Sequence, residues 1–340
     1  MKLGILTGGG DCPGLNAAIR AVVRAGEKKY GMEFTGVRDG WRGMIDADGF
    51  EITHDTVSGI LVKGGTILGS SRTNPLKMDD GIEKVIEGFN KLGLDALIAI
   101  GGDDTLGVAA GMAKAGLKVI GIPKTIDNDL LGTERTVGFS TAISTVVGAI
   151  DRLHSTAESH HRVMILEVMG RHAGWIATLG GIAGGADVIL IPEKPFNLDE
   201  VCKLIKKRHE RKSFTIVVVA EGAVPEGGSI TTKDGRKDAF GHETLGGVAN
   251  WLKKEIGERT GFQTRSSILG HIQRGGSPTP EDRLLATRFG VMAAKLASMN
   301  QFGIMVALHN DRIVTIPLDD AVKDRVVGDE WYEIAEVFFG

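Results

Sequence analysis

Residues 93–129 contain two short apolar segments, and a polar loop follows each of them at once. The first segment, 94–100, leads into GGDDT at 101–105, and the second, 118–122, leads into PKTIDND at 123–129. Small residues that favour a helix lie between the two segments. Short buried strands that alternate with helices are typical of a parallel sheet, and such sheets bind ligands at the carboxyl ends of their strands. The stretch therefore predicts an α/β fold with both loops at one ligand-binding edge.

The residue types in these two loops suit a phosphate group and a metal ion. Thr105 lies at a predicted helix start, where free N–H groups attract anions, and the preceding glycines let the backbone approach a ligand closely. Carboxylates beside a phosphate need a hard cation between them, so we interpret Asp103 or Asp104 as a magnesium ligand. Asp127 can accept a proton from a substrate hydroxyl. The alternative is that GGDDT is an ordinary turn with a helix cap, and the presence of two such loops on successive strands argues against it.

The composition places the chain among ordinary globular proteins. Its 340 residues carry a formal net charge of −3, and 42% of them are hydrophobic, which predicts about two soluble domains. This charge argues against a nucleic-acid surface, no apolar run approaches a membrane span, and no signal peptide is visible. Cys12 and Cys202 have neither metal-ligand nor disulfide-framework spacing. We therefore expect a cytoplasmic protein with reduced thiols and without nucleic-acid or membrane partners.

Two further glycine-containing segments predict anion-binding loops. The sequence GGGDCPG at 8–14 separates a predicted strand, 2–7, from a predicted helix, 15–28. Backbone N–H groups converge in such a loop, but the pattern is neither a dinucleotide-binding fingerprint nor a P-loop, so a plain tight turn stays an alternative. The segment 63–73 adds glycine breaks, hydroxyl side chains and Arg72. That arginine can give paired donors to a phosphate, or it can simply be solvated.

The second half of the chain repeats the alternation of strands and helices and adds basic residues beside predicted strand ends. Residues 139–250 predict a second set of α/β layers without an exact internal repeat. We interpret four arginines at or next to strand ends as a second anion-binding pocket that faces the first, with surface solvation as the alternative for each: Arg162, Arg171, Arg265 and Arg274. His271 also stands beside a strand end.

Taken together, these motifs resemble the 6-phosphofructokinase family in content and in order. The matching segments are GGGDCPGLNAAIR (8–20), KGGTILGSSR (63–72), GGDDT (101–105), PKTIDND (123–129), VMGRHAGW (168–175), Glu221-Gly222 and LGHIQRGGSP (269–278). The resemblance implies two facing, Rossmann-like, three-layer α/β domains with the active site in the cleft. It assigns 1–138 with 251–301 to a domain that binds the phosphoryl donor, and 139–250 with 302–340 to a domain that binds fructose 6-phosphate.

The resemblance also implies roles for individual residues in phosphoryl transfer to the 1-hydroxyl of fructose 6-phosphate. Asp127 would be the base, Arg171 would stabilise the transition state, and Asp103 would hold Mg²⁺. The implied donor contacts are Gly10, Arg72, Asp104 and Thr105. The implied sugar phosphate contacts are Thr125, Asp127, Met169, Gly170, Arg171, Glu221, His271 and Arg274. Arg162 and Arg265 would reach the sugar phosphate of a neighbouring subunit, so the resemblance implies a homodimer or homotetramer with shared active sites.

Asp104 and Lys124 bear on the identity of the donor. Members that use ATP usually have Gly-Gly-Asp-Gly, and many of them have Pro-Gly-Thr-Ile-Asp. The combination of Asp104 and Lys124 instead resembles the pyrophosphate-dependent members. Some members that use ATP also have a lysine at the position of Lys124. A carboxylate at the α-phosphate position of ATP would cost about 4 kcal/mol at ~4 Å with an effective dielectric constant near 20, which is roughly a thousandfold in affinity. Lys124 would offer a cation to the transferring group as part of the catalytic set. We therefore expect reversible, Mg²⁺-dependent transfer from pyrophosphate, a step of glycolysis, with an ATP-dependent enzyme as the alternative.

Two other functional classes account for less of the sequence. NAD kinases and lipid kinases also use a Gly-Gly-Asp-Gly loop, but they lack the PKTIDND and GHIQRGG loops of this chain. A non-catalytic nucleotide-sensing module would not need Asp103, Asp127 and Arg171 together. Consumption of fructose 6-phosphate with pyrophosphate and magnesium discriminates among these classes.

Overall fold

The computed structural model describes residues 1–228, 232–237, 243–245 and 247–340. The chain forms two compact units. The first unit comprises Met1–Ile126, Leu130–Thr141 and Arg274–Asp324, and the second comprises Asp127–Asp129, Ala142–Gln273 and Arg325–Gly340.

The strands and helices alternate along most of the described chain. The strands are β1 Lys2–Thr7, β2 Glu33–Val37, β3 Gly49–Ile52, β4 Ala96–Gly101, β5 Val119–Pro123, β6 Val163–Val168, β7 Val188–Leu190, β8 Thr215–Ala220, β9 Thr232–Lys237, β10 Glu243–Leu245, β11 Thr264–Ile268, β12 Ile304–His309 and β13 Arg312–Pro317. The helices are α1 Leu15–Tyr30, α2 Trp41–Asp46, α3 Gly81–Lys91, α4 Asp103–Lys114, α5 Phe139–His160, α6 Trp175–Gly184, α7 Leu198–His209, α8 Val248–Thr260, α9 Pro280–Ser298, α10 Leu318–Ala321 and α11 Asp329–Glu336, with 3-10 helices at Pro75–Lys77 and Gly270–Arg274. No helix among the described residues is both long and apolar enough to cross a membrane.

The first unit is built on a seven-stranded sheet of order β13-β12-β5-β4-β1-β2-β3. The five strands from β12 to β2 run parallel, and the outermost strands, β13 and β3, are antiparallel to their neighbours. All six residues of β4 and all five of β5 are buried, as expected of central parallel strands that are covered on both faces. The predicted strands at 94–100 and 118–122 are thereby confirmed, and the polar loops that follow them lie at the carboxyl ends of adjacent strands.

The second unit has a four-stranded parallel sheet of order β11-β6-β8-β7. Its inner strands, β6 and β8, are completely buried. Glu167 is the one charged residue within them, and its carboxylate accepts the N–H of Ala249 at 2.9 Å. That N–H lies in the first turn of α8, where backbone N–H groups have no partner within the helix. The buried charge therefore connects β6 to the start of α8.

Local sequence signals explain several helix boundaries. The Thr279 hydroxyl accepts the N–H of Asp282, and Pro280 occupies the first position of α9, a combination that favours a helix start. The Asn197 side chain caps α7 in the same way. Gly31 ends α1 with a left-handed φ of 60°, a conformation that glycine adopts without steric cost.

The two units differ from the expected domain boundaries at two long segments and at two short ones, 127–129 and 139–141. Residues 251–273 were expected in the first domain, but β11 pairs with β6, and the segment belongs to the second unit. Residues 302–324 were expected in the second domain, but β12 pairs with β5 and joins the first sheet. We correct the assignment of these segments. Hydrogen bonding between strands decides to which unit a long segment belongs, and the local sequence does not show which sheet a strand near the end of the chain will join.

Candidate active site

The glycine-rich loop 8–14 follows β1 and is fixed by hydrogen bonds to the segment that carries Arg72. The N–H of Gly9 donates to the Ser71 carbonyl at 3.3 Å, and the Ser70 hydroxyl donates to the Gly9 carbonyl. Arg72 therefore extends from backbone that contacts the glycine-rich loop, and it is exposed. The structure thus brings together two of the segments that the sequence predicted to bind the donor.

The ammonium group of Lys124 is buried against the same loop. Lys124 is 2% exposed, and its Nζ donates to the Gly8 carbonyl at 3.1 Å and to the Gly10 carbonyl. These bonds use two of the three ammonium N–H groups, so at most one is left for a ligand. Burial lowers the pKa of Lys124, while the negative charges of Asp11 and Asp103 act in the opposite direction. Holding the loop is a function of Lys124 that the sequence did not predict.

Gly10 leaves the space that the Arg274 side chain occupies. A Cβ at position 10 would lie 1.8 Å from Nη1 of Arg274, far inside van der Waals contact, so the guanidinium lies directly against the Gly10 backbone. Gly10 was predicted to contact the donor and Arg274 the sugar phosphate. The first unit thus brings a permanent positive charge with five N–H donors to the glycine-rich loop.

The start of α4 carries the remaining predicted donor residues. Asp103 and Asp104 are its first two residues, where the helix dipole favours negative charge. The side chain of Thr105 is instead 3% exposed, and a Cβ on either Gly8 or Gly101 would come within 2.5 Å of it. The Thr105 side chain therefore packs between these glycines. The predicted contact of Thr105 with the donor would use its backbone N–H instead of its hydroxyl.

The carboxylates around the loop fit a magnesium ion that binds together with a phosphate ligand. Asp11 and Asp103 are exposed, and the charges of both act on Lys124. Among the described residues, no group of three or more His, Cys, Asp and Glu side chains could hold a metal ion. Mg²⁺ is commonly held by one or two carboxylates with substrate phosphates and water. This donor set fits that mode of binding, in which Asp103 would be a protein ligand.

In the second unit, backbone hydrogen bonds join the loop after β6 to the loop after β8. The N–H of Glu221 donates to the Val168 carbonyl at 2.9 Å, and the N–H of Gly222 donates to the Gly170 carbonyl at 3.1 Å. A Cβ at Gly222 would lie 2.1 Å from the Arg171 carbonyl, so only glycine permits this approach. Four residues predicted to bind the sugar phosphate are thereby neighbours: Met169, Gly170, Arg171 and Glu221.

Gln273 holds the first of these loops, and sequence reasoning did not assign it a role. Its side chain is completely buried; Oε1 accepts the Met169 N–H at 3.2 Å, and Nε2 donates to the Gly270 carbonyl at 3.0 Å. Gln273 therefore connects the loop of Met169 to the turn that presents the exposed His271. Its place inside the LGHIQRGGSP motif was the available signal, but burial of the amide cannot be read from the sequence.

Three carboxylates of the second unit share one electrostatic environment. Burial, together with the negative charges of Asp127 and Glu167, raises the pKa of Glu221 to about 7, and the positive charge of Arg171 opposes this rise. Perturbed carboxylates of this kind are frequent at functional sites. The predicted base, the predicted transition-state cation and a predicted sugar contact are therefore close enough to influence one another.

The loop after β5 contributes residues to both units. Lys124 and Thr125 belong to the first unit and Asp127 to the second. The Thr125 carbonyl accepts the hydroxyl of Thr136 at 2.7 Å. Asn128 is buried and has a left-handed φ of 54°, which asparagine tolerates better than most residues do. The backbone around Asp127 thus has a defined, uncommon conformation.

Arg162 and Arg265 lie at the opposite end of the second sheet from Arg171. Arg162 precedes β6 and Arg171 follows it, while Arg265 pairs with Met164, the second residue of β6. A strand of six residues separates its two ends by roughly 20 Å. The expectation that these arginines share one pocket with Arg171 is therefore wrong within one chain. Arg265 is exposed on β11, an edge strand. The contact of both arginines with a neighbouring subunit stays a prediction.

Residues 2–297 match the sequence profile of a family described as Phosphofructokinase. The chain belongs to the phosphofructokinase family. A pyrophosphate–fructose 6-phosphate 1-phosphotransferase of Amycolatopsis methanolica is 56% identical over 341 residues, and an ATP-dependent 6-phosphofructokinase of Mycobacterium leprae (strain TN) is 49% identical over 343 residues; both alignments cover 100% of each chain. The structure of phosphofructokinase from Saccharomyces cerevisiae matches with a TM-score of 0.83 and 29% identity, over 99% of this chain and 50% of that chain.

These similarities confirm the predicted family and the phosphofructokinase fold. Relatives named for pyrophosphate and relatives named for ATP both align over the full length of the chain. Membership of the family therefore does not by itself identify the donor. The residues that bear on the donor are Asp104 in α4 and Lys124 in the loop after β5.

Proposed function

We propose that this phosphofructokinase transfers a phosphoryl group from pyrophosphate to the 1-hydroxyl of fructose 6-phosphate, giving fructose 1,6-bisphosphate and phosphate. The reaction depends on Mg²⁺, runs in both directions and is a step of glycolysis. The observation that carries the choice of donor is Asp104, a half-buried carboxylate at the second position of α4. The higher identity of the relative named for pyrophosphate supports the same choice.

Positive charge and backbone N–H groups of the first unit bind the donor. The glycine-rich loop supplies N–H groups near Gly10, Arg72 supplies a guanidinium, and Lys124 fixes the loop from within. Mg²⁺ held by Asp103 and by donor oxygens would neutralise part of the charge on pyrophosphate. Phosphoryl transfer is mainly a matter of positioning and charge neutralisation, and these residue types supply both.

Residues of the second unit orient the sugar and accept its proton. Met169, Gly170 and Glu221 contact the sugar, together with His271. Asp127 takes the proton of the 1-hydroxyl as the sugar oxygen attacks the terminal phosphorus of pyrophosphate. The bond between that phosphorus and the bridging oxygen breaks, and phosphate leaves. Arg171 stabilises the negative charge that spreads over the transferring group.

Electrostatic repulsion explains the preference for pyrophosphate over ATP. ATP places a third phosphate beyond the two that pyrophosphate has, and the resemblance to the family implies that the Asp104 carboxylate would lie at the α-phosphate of ATP. At ~4 Å and an effective dielectric constant near 20, this repulsion costs about 4 kcal/mol. Pyrophosphate avoids the cost because it ends before this position.

ATP as the donor is the second candidate, because the environment of Lys124 does not distinguish between the two donors. Two of the three N–H groups of the Lys124 ammonium donate to carbonyls of the glycine-rich loop. At most one N–H group is therefore left to bind a ligand. A lysine with this structural function does not by itself select pyrophosphate. The discrimination therefore depends on Asp104.

The reaction can be identified by ³¹P NMR with the unmodified protein. We expect fructose 6-phosphate, pyrophosphate and Mg²⁺ to give fructose 1,6-bisphosphate and phosphate, and the two products to regenerate pyrophosphate. Glucose 6-phosphate in place of fructose 6-phosphate serves as the control for acceptor specificity. Hydrolysis of pyrophosphate without a sugar bisphosphate product would contradict the proposal.

The proposed enzyme is cytoplasmic and assembles as a homodimer or homotetramer with shared active sites. Support for shared sites comes from Arg162 and Arg265, which lie at the end of the second sheet opposite Arg171. In this assembly, both arginines bind the sugar phosphate of a neighbouring subunit.

A further inference from the structure

Arg325 contacts the turn that carries Asp127 through both its backbone and its side chain. The backbone N–H of Arg325 donates to the Asp129 carbonyl at 2.7 Å. Its Nη1 donates to the Asn128 carbonyl at 3.2 Å. These two carbonyls belong to the two residues that directly follow Asp127, so Arg325 holds the backbone on the carboxyl side of the proposed base.

The opposite side of Arg325 is fixed by Trp175. The indole Nε1 of Trp175 donates to the Arg325 carbonyl at 3.1 Å, and the Arg325 guanidinium carbon lies 4.1 Å from the centroid of the indole ring, in the range of a cation–π contact. Trp175 is 4% exposed and is the first residue of α6. It closes the VMGRHAGW motif, which also contains Arg171.

Glu193 fixes the segment of Arg325 to the same helix end. One of its carboxylate oxygens lies 2.9 Å from the Gly174 N–H and also accepts the Val327 N–H at 2.9 Å. Gly174 is the residue before α6. The segment that carries Arg325 is thus held at residues 325 and 327. Trp175 contacts residue 325, and Glu193 joins residue 327 to Gly174, so both connections reach the end of the loop that carries Arg171.

We propose that Arg325 is a positioning residue for phosphoryl transfer, which sets the Asp127 turn relative to the loop of Arg171. This inference depends on the proposed function, in which Asp127 is the base and Arg171 stabilises the transition state. The guanidinium is a charged donor, which gives a stronger hydrogen bond to the Asn128 carbonyl than a neutral donor would. The turn needs such a restraint because Asn128 has an uncommon left-handed conformation.

The variant Arg325→Met tests the side chain alone. Methionine keeps an unbranched stem that can pack on Trp175, and it leaves the backbone hydrogen bonds of residue 325 in place, but it removes the donor and the charge. Since small displacements of catalytic groups cost up to about 100-fold in rate, we expect kcat to fall by roughly 10- to 100-fold. We expect the KM for fructose 6-phosphate to change by less than about threefold, because uniform substrate binding is not altered. Lys323→Met, at an exposed lysine that pairs with Asp320, is the matched control and should keep the parental kcat.

A double-mutant cycle distinguishes positioning of the base from a general structural effect. If Arg325 acts through Asp127, adding Arg325→Met to Asp127→Asn should change kcat by less than about twofold, although it lowers kcat strongly in the parent. An equal loss of kcat in both backgrounds would overturn the inference, as would a parental kcat for Arg325→Met alone. Near-parental turnover of Asp127→Asn would instead refute the assigned base, so failure of the proposed function is distinguished from failure of this inference.

Discussion

The guanidinium of Arg274 fills the space beside Gly10, with Nη1 1.8 Å from the position that a Cβ would take there. Gly10→Ala should therefore displace Arg274 rather than unfold the chain, because the atom that must move is the end of a flexible side chain. The displaced guanidinium would lose its predicted hydrogen bond to the sugar phosphate, and loss of one charged hydrogen bond costs about 1.5–3 kcal/mol. We expect the KM for fructose 6-phosphate to rise by roughly 10-fold or more, with an unchanged melting temperature. Gly328→Ala, where a Cβ would have no neighbour within 4 Å, is the control, and an unchanged KM in Gly10→Ala would contradict the role of Arg274.

Glu221 gives the protein a pH-dependent stability whose sign follows from its pKa. The folded protein holds this proton with a pKa of about 7, compared with 4.5 for the ordinary group. The folded state therefore binds more protons than the unfolded chain between these values, and the free energy of unfolding falls as the pH rises through this window. Glu221→Gln resembles the protonated form. It should match the parent at pH 5 and be more stable at pH 8, by up to about 3 kcal/mol.

Melting temperatures of the substrate-free proteins at the two pH values measure this effect. Glu333→Gln, at an exposed carboxylate, controls for the loss of one charge and should show no such dependence on pH. If the difference between Glu221→Gln and the parent were the same at pH 5 and pH 8, the carboxylate of Glu221 would not change its charge in this range.

Asp127→Asn keeps the size of the side chain and removes the proton acceptor. Loss of a general base lowers the rate by about 10²–10⁴, and we expect this loss in kcat, with a smaller change in the KM for fructose 6-phosphate. Steady-state rates at saturating pyrophosphate measure both constants. Turnover within about threefold of the parent would show that another group takes the proton.

Mixed oligomers test whether Arg162 serves a neighbouring subunit. Arg162→Ala and Asp127→Asn proteins should each be nearly inactive alone. In a dimer that contains one chain of each kind, one site combines an intact Asp127 with an intact Arg162 from the other chain. Random mixing should therefore restore roughly a quarter of the parental activity, as symmetry requires for two shared sites. Mixtures no more active than the separate variants, or full activity from a proven monomer, would show that each site is complete within one chain.

Local sequence patterns were sufficient to predict the elements that frame the site. The apolar segments 94–100 and 118–122 predicted β4 and β5, and the glycine-rich sequence after 2–7 predicted the loop between β1 and α1. The spacing of apolar residues and the position of glycines indicate such elements, and both can be recognised within a few residues of the chain. Because parallel strands end at one edge of a sheet, the position of the polar loops followed without further information.

Contacts between distant residues could not be predicted in the same way. The pairing of β12 with β5, the position of Arg162 at the far end of β6 and the carbonyl contacts of Lys124 depend on tertiary packing. Gln273 and Arg325 act through buried or half-buried hydrogen bonds to loops far away in the sequence. A single sequence does not show which polar side chains will be buried or which backbone groups they will meet.

Whether Asp104 selects pyrophosphate is decided by the ratio of kcat/KM for pyrophosphate to kcat/KM for ATP. The ratio is measured for the parent, Asp104→Asn and Asp104→Gly at saturating fructose 6-phosphate and Mg²⁺. We expect the parent to prefer pyrophosphate strongly. Asp104→Asn removes the charge and keeps the size, so it should recover much of the roughly thousandfold penalty on ATP, and Asp104→Gly should recover at least as much because it also frees space. A parent that prefers ATP, or a ratio that neither substitution changes, would contradict the account and leave the ATP-dependent enzyme in its place.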